Sequence, residues 1–335
     1  MLCVLKETVV AAMQLFRGLH NLPKDYTGCV ATIGNFDGVH LGHQAVIGQL
    51  AEKGSELNLP TVLITFEPQP MEYFRPDQAP ARLTRFREKL QALRRFSIDQ
   101  VLCLPFDPAL AQMPAERFIQ TVLVEGLGVQ YLVLGDDFRF GKDRKGDFAL
   151  LQAAGEQFGF EVVNMHTFAI DGDRVSSTRI RKALDCGDLA TAERLLGRRY
   201  RMSGRVAHGA KLGRELGWPT ANIDVHRHTT PLQGIFVVEV FGIPGEPLPG
   251  VASLGTRPTV DGKKTLLEVY LFDFDQDIYG QHLQVSFLHK LRDEAKFTTL
   301  EALKVQIAKD VDDARAYFEQ GSVIDPMNEQ EHSKH

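Results

Sequence analysis

At 335 residues, with 44% apolar and 24% charged residues, the chain is long enough for two globular domains, each with its own core. A net charge of -5 and a pI near 6.1 argue against a general nucleic-acid partner, which needs a basic face. No apolar run approaches the ~20 residues of a membrane helix, and Cys3, Cys29, Cys103 and Cys186 form no Cys-x-x-Cys pair. That usage points to a reducing, cytoplasmic compartment and away from a disulfide framework or a thiolate metal site.

The chain opens with Val9, Val10, Ala11 and Ala12, but Lys6 and Glu7 interrupt the stretch, so no signal peptide is expected. From there the first half alternates. β-rich apolar runs at 29–33, 61–66, 101–104, 131–134 and 160–163 are separated by helix-like stretches at 42–57, 84–96, 115–126 and 147–158. Strand–helix alternation predicts a parallel sheet with helices on both faces, which binds ligands at the carboxyl ends of its strands.

The first such end carries Gly34-Asn35-Phe36-Asp37-Gly38-Val39-His40-Leu41-Gly42-His43. A strand, a turn and a helix start deliver His40 and His43 to a helix N-terminus, where free N–H groups and the helix dipole favour an anion. Two imidazoles three residues apart share one face and can donate to phosphate oxygens as charge builds at an α-phosphorus. Gly38 and Gly42 allow close backbone approach. Later, Ser176-Ser177-Thr178-Arg179-Ile180-Arg181 places hydroxyls and two arginines at another helix start. Such a set reads as a phosphate clamp or as an ordinary N-cap with solvated arginines.

A short helical stretch at 188–196 ends in Gly197-Arg198-Arg199, which predicts a boundary near 186–200. A fragment beginning near Asp188 is expected to fold alone. Beyond it, strand-like runs at 234–240, 250–254, 266–272 and 283–288 with many Gly/Pro breaks predict a small antiparallel barrel or sandwich, closed by a helix at 299–318. No Gly-x-x-x-x-Gly-Lys-Ser/Thr loop occurs. Instead Gly204 to Asn222 combines glycines, including Gly209 and Gly213, with basic and small polar groups. This segment is either a phosphate-wrapping loop or a hairpin that turns a barrel corner. Thr220 and Asn222 alternate on a short strand and offer hard oxygens suited to Mg²⁺. Glu268 sits among apolar neighbours in Leu266–Leu271, on the solvent face or in a site; alternation leaves both open. The polar stretch 325–335 is expected to be a disordered tail.

These motifs carry a resemblance. His-x-Gly-His with Ser-Ser-Thr-x-x-Arg resembles the nucleotidylyltransferase superfamily. The whole first string, with Thr65-Phe66-Glu67-Pro68 and Gly135-Asp136-Asp137-Phe138-Arg139-Phe140-Gly141, resembles the FMN adenylyltransferase module of bacterial bifunctional riboflavin kinase/FAD synthetases. The resemblance implies a Rossmann-like domain over 13–186. It implies ATP contacts from Gly34, Phe36, Asp37, Gly38, His40, His43, Ser176, Ser177, Thr178 and Arg181, with His40, His43 and Arg181 catalytic. Flavin and nucleotide contacts would come from Pro68, Asp137, Phe138 and Gly141. Gln69 departs from a usual His and is expected to keep a polar contact.

Residues 200–318 resemble riboflavin kinase throughout. The pieces that match are Pro219-Thr220-Ala221-Asn222, Gly250 to Thr259, Asp277-Ile278-Tyr279-Gly280 and Arg292-Asp293-Glu294-Ala295-Lys296-Phe297. The resemblance implies a riboflavin kinase-like barrel over 187–320 and a tail over 321–335. It implies Glu268 as catalytic base, Thr220 and Asn222 as Mg²⁺–nucleotide ligands, ATP contacts from Gly209, Gly213, Arg214, Pro219, Thr220 and Asn222, and a flavin flap with Arg292, Glu294 and Phe297. Ser253 and Phe236 stand where Asn and Tyr are usual. The implied function is phosphorylation of riboflavin to FMN and adenylylation of FMN to FAD with release of pyrophosphate. ATP is co-substrate, Mg²⁺ the cofactor, the partners are small molecules only, and no membrane or nucleic acid is involved. A flavin-binding regulator without turnover, and a different nucleotidylyltransferase such as a cytidylyltransferase, are the rival readings. Met13-Gln14-Leu15-Phe16-Arg17-Gly18 resembles a family start, which makes Met13 the expected initiator.

Overall fold

The computed structural model describes residues 13–23, 26, 28–135, 137–165, 167–208, 213, 216–259 and 262–321. Expectations on residues 1–12 and 322–335, and on Gly209 and Arg214, lie outside them. The chain divides into two compact units, Met1–Pro80 with Lys89–Arg174, and Ala81–Glu88 with Val175–His335.

The first unit holds six parallel strands: β1 (Gln14–Arg17), β2 (Cys29–Ile33), β3 (Thr61–Glu67), β4 (Gln100–Pro105), β5 (Val129–Gly135) and β6 (Glu161–Met165). Their order is β1-β4-β3-β2-β5-β6. Both faces are buried, as a parallel sheet requires. Ala31, Ile33, Val62 and Ile64 belong to one apolar cluster. Their neighbours Val30 and Leu63 belong to the other. The helices are α1 (Leu41–Leu57), α2 (Pro70–Phe74), the part of α3 (Phe86–Leu93) from Lys89 onward, α4 (Pro108–Ala111), α5 (Ala115–Phe118), continued by a π-helical turn at Ile119–Gly126, and α6 (Phe148–Phe158). A two-residue hairpin follows, β7 (Ala169–Ile170) and β8 (Asp173–Arg174). The strand β1 has no counterpart in the sequence expectation; it is short, only partly buried, and exists by pairing with β4.

The second unit is a closed barrel. Its strands are β9 (Arg201–Ala207), β10 (Thr220–Asp224), β11 (Gly234–Phe241), β12 (Leu248–Thr259), β13 (Gly262–Leu271) and β14 (His282–Arg292), in the order β10-β13-β12-β11-β14-β9. Helices α7 (Ser177–Asp185), α8 (Leu189–Leu196) and α9 (Leu300–Glu319) complete it. Inward positions Met202, Phe236, Ala252, Leu254, Leu267, Val269, Val285 and Phe287 are fully buried. On the outer face Val237, Phe272, Val311 and Ala314 form a second cluster, through which α9 packs on the barrel wall. Gly204 lies within β9 and is no part of a phosphate-wrapping loop. A Cβ there would meet the Asp224 carbonyl oxygen at 2.3 Å, so the glycine serves strand approach.

The boundary expected near residue 186 falls between α7 and α8, which pack on each other inside this unit. The segment 81–88 belongs here too. The Arg227 guanidinium donates to the Arg82 and Leu83 carbonyls and, at 2.6 Å, to Glu88 Oε2. Glu88 Oε1 accepts from the Ser203 N–H at 2.9 Å and its hydroxyl at 3.2 Å. The pair is buried, with side-chain exposures of 3% and 9%. Removing one partner of a buried pair typically costs ~3–5 kcal/mol. Urea unfolding of Glu88→Ala should show a loss of that size in the second unit, and a Glu88→Leu/Arg227→Met double variant should recover part of it. A fragment 188–335 lacks this segment, so it is expected to be less stable than the same barrel in the full chain.

Candidate active sites

In the first unit the strand order reverses at β2, and β2 runs into the Gly34–Val39 turn at its carboxyl end, where α/β sheets bind ligands. Phe36 (φ 47°), Gly38 (φ 85°) and Val39 (φ 44°) are left-handed. A β-branched residue in that region is strained. Here Val39 is fully buried and Phe36 nearly so, and their packing in the core holds the turn. His40 is the N-cap of α1, and its Nδ1 accepts from the His43 backbone N–H at 3.3 Å. That bond leaves the His40 proton on Nε2. The two rings stack, with centroids 3.6 Å apart and planes at 16°. The Phe36 ring lies 4.9 Å from His43.

The His43 Nδ1 is buried with no hydrogen-bond partner among the described residues. Burial, then the charges of His40, Lys89 and Arg174, hold His43 well below the ordinary imidazole range. The ring is therefore neutral at pH 7, a polar group without charge at a helix N-terminus. Asp37 is buried in the same turn. Around it, Pro68 is exposed and Gln69 caps α2, its backbone N–H donating to Glu72 at 2.9 Å. The Gln69 Nε2 is buried without a partner among the described residues, leaving a donor for a ligand. Asp137 pairs with Arg174. Phe138 stacks on Phe140 with centroids 5.5 Å apart. Gly141 (φ 71°) packs its Cα on Ala115, where a Cβ would sit 2.7 Å from the Ala115 Cα.

Ser176, Ser177, Thr178 and Arg181 fall in the second unit. The Ser176 hydroxyl accepts from the Arg179 N–H at 3.2 Å and caps α7, whose first turn holds Ser177 and Thr178. Arg181 is half-buried and its Nε donates to the Ala81 carbonyl at 2.6 Å, so it is not a freely solvated arginine.

On the barrel, register builds a second site. Glu268 on β13 is opposite Asn222 of β10 on one side and Ser253 of β12 on the other. Leu267, Val269 and Leu271 point inward and are buried, so Glu268 and Tyr270 take the outer face. A cavity of about 440 Å³ opens there, lined by Thr220, Glu268, Tyr270, Arg292, Glu294 and Phe297 among others. A second, of about 410 Å³, is lined by Pro219, Thr220, Asp277 and Tyr279 among others. Thr220 lines both. Gly213 lies against Thr220, where a Cβ would meet the Trp218 carbonyl at 2.4 Å. The Glu294 carboxylate rests on Gly255, where a Cβ would lie 2.3 Å from its Oε1. Phe236 is buried edge-to-face on Phe287, away from both cavities.

Comparison with known proteins agrees with this two-part arrangement. Residues 22–179 match the FAD synthetase family and residues 196–318 the riboflavin kinase family. The chain is 52% identical over 306 residues to a bifunctional riboflavin kinase/FMN adenylyltransferase of Haemophilus influenzae, covering 91% of this chain and 99% of that protein. A protein of the same name from Pseudomonas fluorescens is 53% identical over 305 residues, covering 91% and 97%. The one from Escherichia coli is 51% identical over 307 residues, covering 91% and 98%. The chain belongs to the bifunctional riboflavin kinase/FMN adenylyltransferase family. Its activities are those two, ATP-dependent phosphorylation of riboflavin to FMN and adenylylation of FMN to FAD.

A crystal structure named as a macrolide-efflux protein from Streptococcus pneumoniae has the same fold, with TM-score 0.75 and 29% identity over 89% of this chain and 97% of that one. Efflux is said of that protein alone. Among the described residues of this chain no helix is long and apolar enough to cross a membrane.

For a member of this family the structure adds residues that motif reading missed. Asp310 of α9 is buried and accepts from Arg292 Nε at 2.8 Å, Arg292 Nη2 at 2.6 Å and Gln306 Nε2 at 2.8 Å, fixing the arginine at the cavity. Lys89 of α3 is fully buried in the first unit. A signal existed for both. Lys89 falls between Phe86 and Leu93 at helical spacing, and Asp310 between Ile307 and Ala314. Each is a charge in an apolar stripe.

Proposed function

We propose that the two reactions are divided between the two units: adenylyl transfer in the parallel-sheet unit and flavin phosphorylation on the barrel. One observation carries this division. The stacked histidine pair belongs to one unit, and Glu268 with Thr220 and Asn222 to the other. On the barrel, the cavity walled by Tyr270, Trp218 and Phe297 suits an aromatic flavin. The neighbouring cavity at Pro219 and Asp277 suits the nucleotide. Thr220 stands at their shared wall, where a γ-phosphoryl group would meet the ribityl hydroxyl. Glu268 takes the proton from that hydroxyl as general base. The Thr220 hydroxyl and Asn222 amide oxygen suit Mg²⁺, which is commonly held by one or two protein oxygens together with phosphates and water. When bound, Mg²⁺ would neutralise charge on the triphosphate. The Arg292–Phe297 segment closes over the flavin, with Glu294 seated on Gly255.

In the first unit His40 and the neutral His43 donate to the α-phosphate as its charge grows, at a helix N-terminus that favours the anion. Gln69 offers its buried amide donor to the same ligands. Family resemblance adds Asp137, Phe138 and Gly141 as flavin and adenine contacts. A cytoplasmic location belongs to the same reading. A flavin-binding regulator would need no base at Glu268. Chromatography of a mixture of riboflavin, ATP, Mg²⁺ and the full chain decides: FMN and then FAD are expected, and an unchanged riboflavin peak would defeat the reading.

A further inference from the structure

Lys89 is among the largest fully buried side chains of the molecule, at 0% exposure. Taking an ammonium out of water costs several kcal/mol, so such a group is retained where its charge is used. Its Nζ donates to the Thr65 hydroxyl at 3.4 Å, and that hydroxyl donates to the Asn35 carbonyl at 3.5 Å. Thr65 is itself fully buried, near the carboxyl end of β3. Asn35 belongs to the turn that leads into His40. The lysine is thus linked by two hydrogen bonds to the backbone that presents the histidine pair.

We propose that Lys89 is a positioning residue of the adenylyl-transfer site: through Thr65 it anchors the turn carrying His40 and His43, and it sets a fixed positive charge where a triphosphate is received. The proposal rests on the reading of this site as the adenylyl-transfer centre. The charged and titratable groups that face His43 are His40 from its own turn, Lys89 from α3 and Arg174 from β8, the last paired with Asp137. Each cation disfavours a charged imidazole. With Lys89 gone, His43 should take up its proton at higher pH.

The test uses the full chain and the variants Lys89→Met, Lys89→Arg and His43→Ala. Lys89→Met should lower kcat/KM for ATP in FAD formation by on the order of 10²-fold, the usual scale for one preorganised group. Riboflavin phosphorylation by the same preparation should stay within about two-fold, the small change expected for a site in a separate unit. Lys89→Arg, which keeps the charge, should recover most of the loss. In NMR titrations of the free protein the His43 ring signal of Lys89→Met should shift at higher pH than in the parent. Unchanged FAD formation with an unmoved His43 titration overturns the proposal. So does equal loss of both activities in Lys89→Met and Lys89→Arg, which would mark a purely structural lysine. If His43→Ala leaves FAD formation intact, the reading of the site is what fails. If His43→Ala abolishes it and Lys89→Met does not, the role of Lys89 is what fails.

Discussion

Glu268→Gln is expected to lower FMN formation by ~10²–10⁴, the usual worth of a general base, while FAD formation from supplied FMN continues. Glutamine keeps the shape and the hydrogen-bonding oxygen, so the barrel wall between Asn222 and Ser253 should be undisturbed. What it loses is the capacity to accept a proton from the ribityl hydroxyl. Glu268 is half-buried on the outer face of β13, where it lines the cavity. The loss should therefore fall on kcat more than on KM for riboflavin. Separate assays with riboflavin and with FMN, each with ATP and Mg²⁺, check this. Equal loss of both activities would refute the assignment of two separate sites.

The reverse is expected for His43→Ala. FAD formation should fall by ~10²–10³ and riboflavin phosphorylation should persist. The substitution removes the ring that stacks on His40 at 3.6 Å and the buried Nδ1, but leaves the His43 backbone N–H that His40 accepts. The turn thus keeps its cap while the transition-state donor disappears. Because His43 is held below the ordinary imidazole range, the parent reaction should show no His43 protonation step near pH 6.5. Its folded form binds the proton later than the unfolded chain on acidification. The first unit therefore loses stability as pH falls below the unfolded value of about 6.5. An unchanged rate of FAD formation in His43→Ala would move the nucleotide away from the start of α1.

The amino-acid sequence by itself determined the class of both halves, because burial imposes a period. Strands of a doubly covered sheet must be apolar on both faces, and 29–33 and 61–66 show that run in the bare sequence. It also determined the helix-start placement of His40 and His43, since a strand, a left-handed turn and an α-helix are each local. Alternation sufficed to put Thr220 and Asn222 on one side of a strand. Tertiary structure decided what depends on long-range pairing. Strand β1 exists only against β4, and β9 hides behind Gly204 and three polar or charged residues in seven. The barrel could have been a sandwich until β9 closed it against β10 and β14. The face of Glu268 was open until closure put Leu267 and Val269 inside. Most of all, segment 81–88 lies far in sequence from Ser203 and Arg227, and its place in the second unit rests on a buried carboxylate finding its partners. Local period says which face of an element is buried. It carries no information about which distant element will cover that face, since that depends on the summed packing and desolvation of the folded chain.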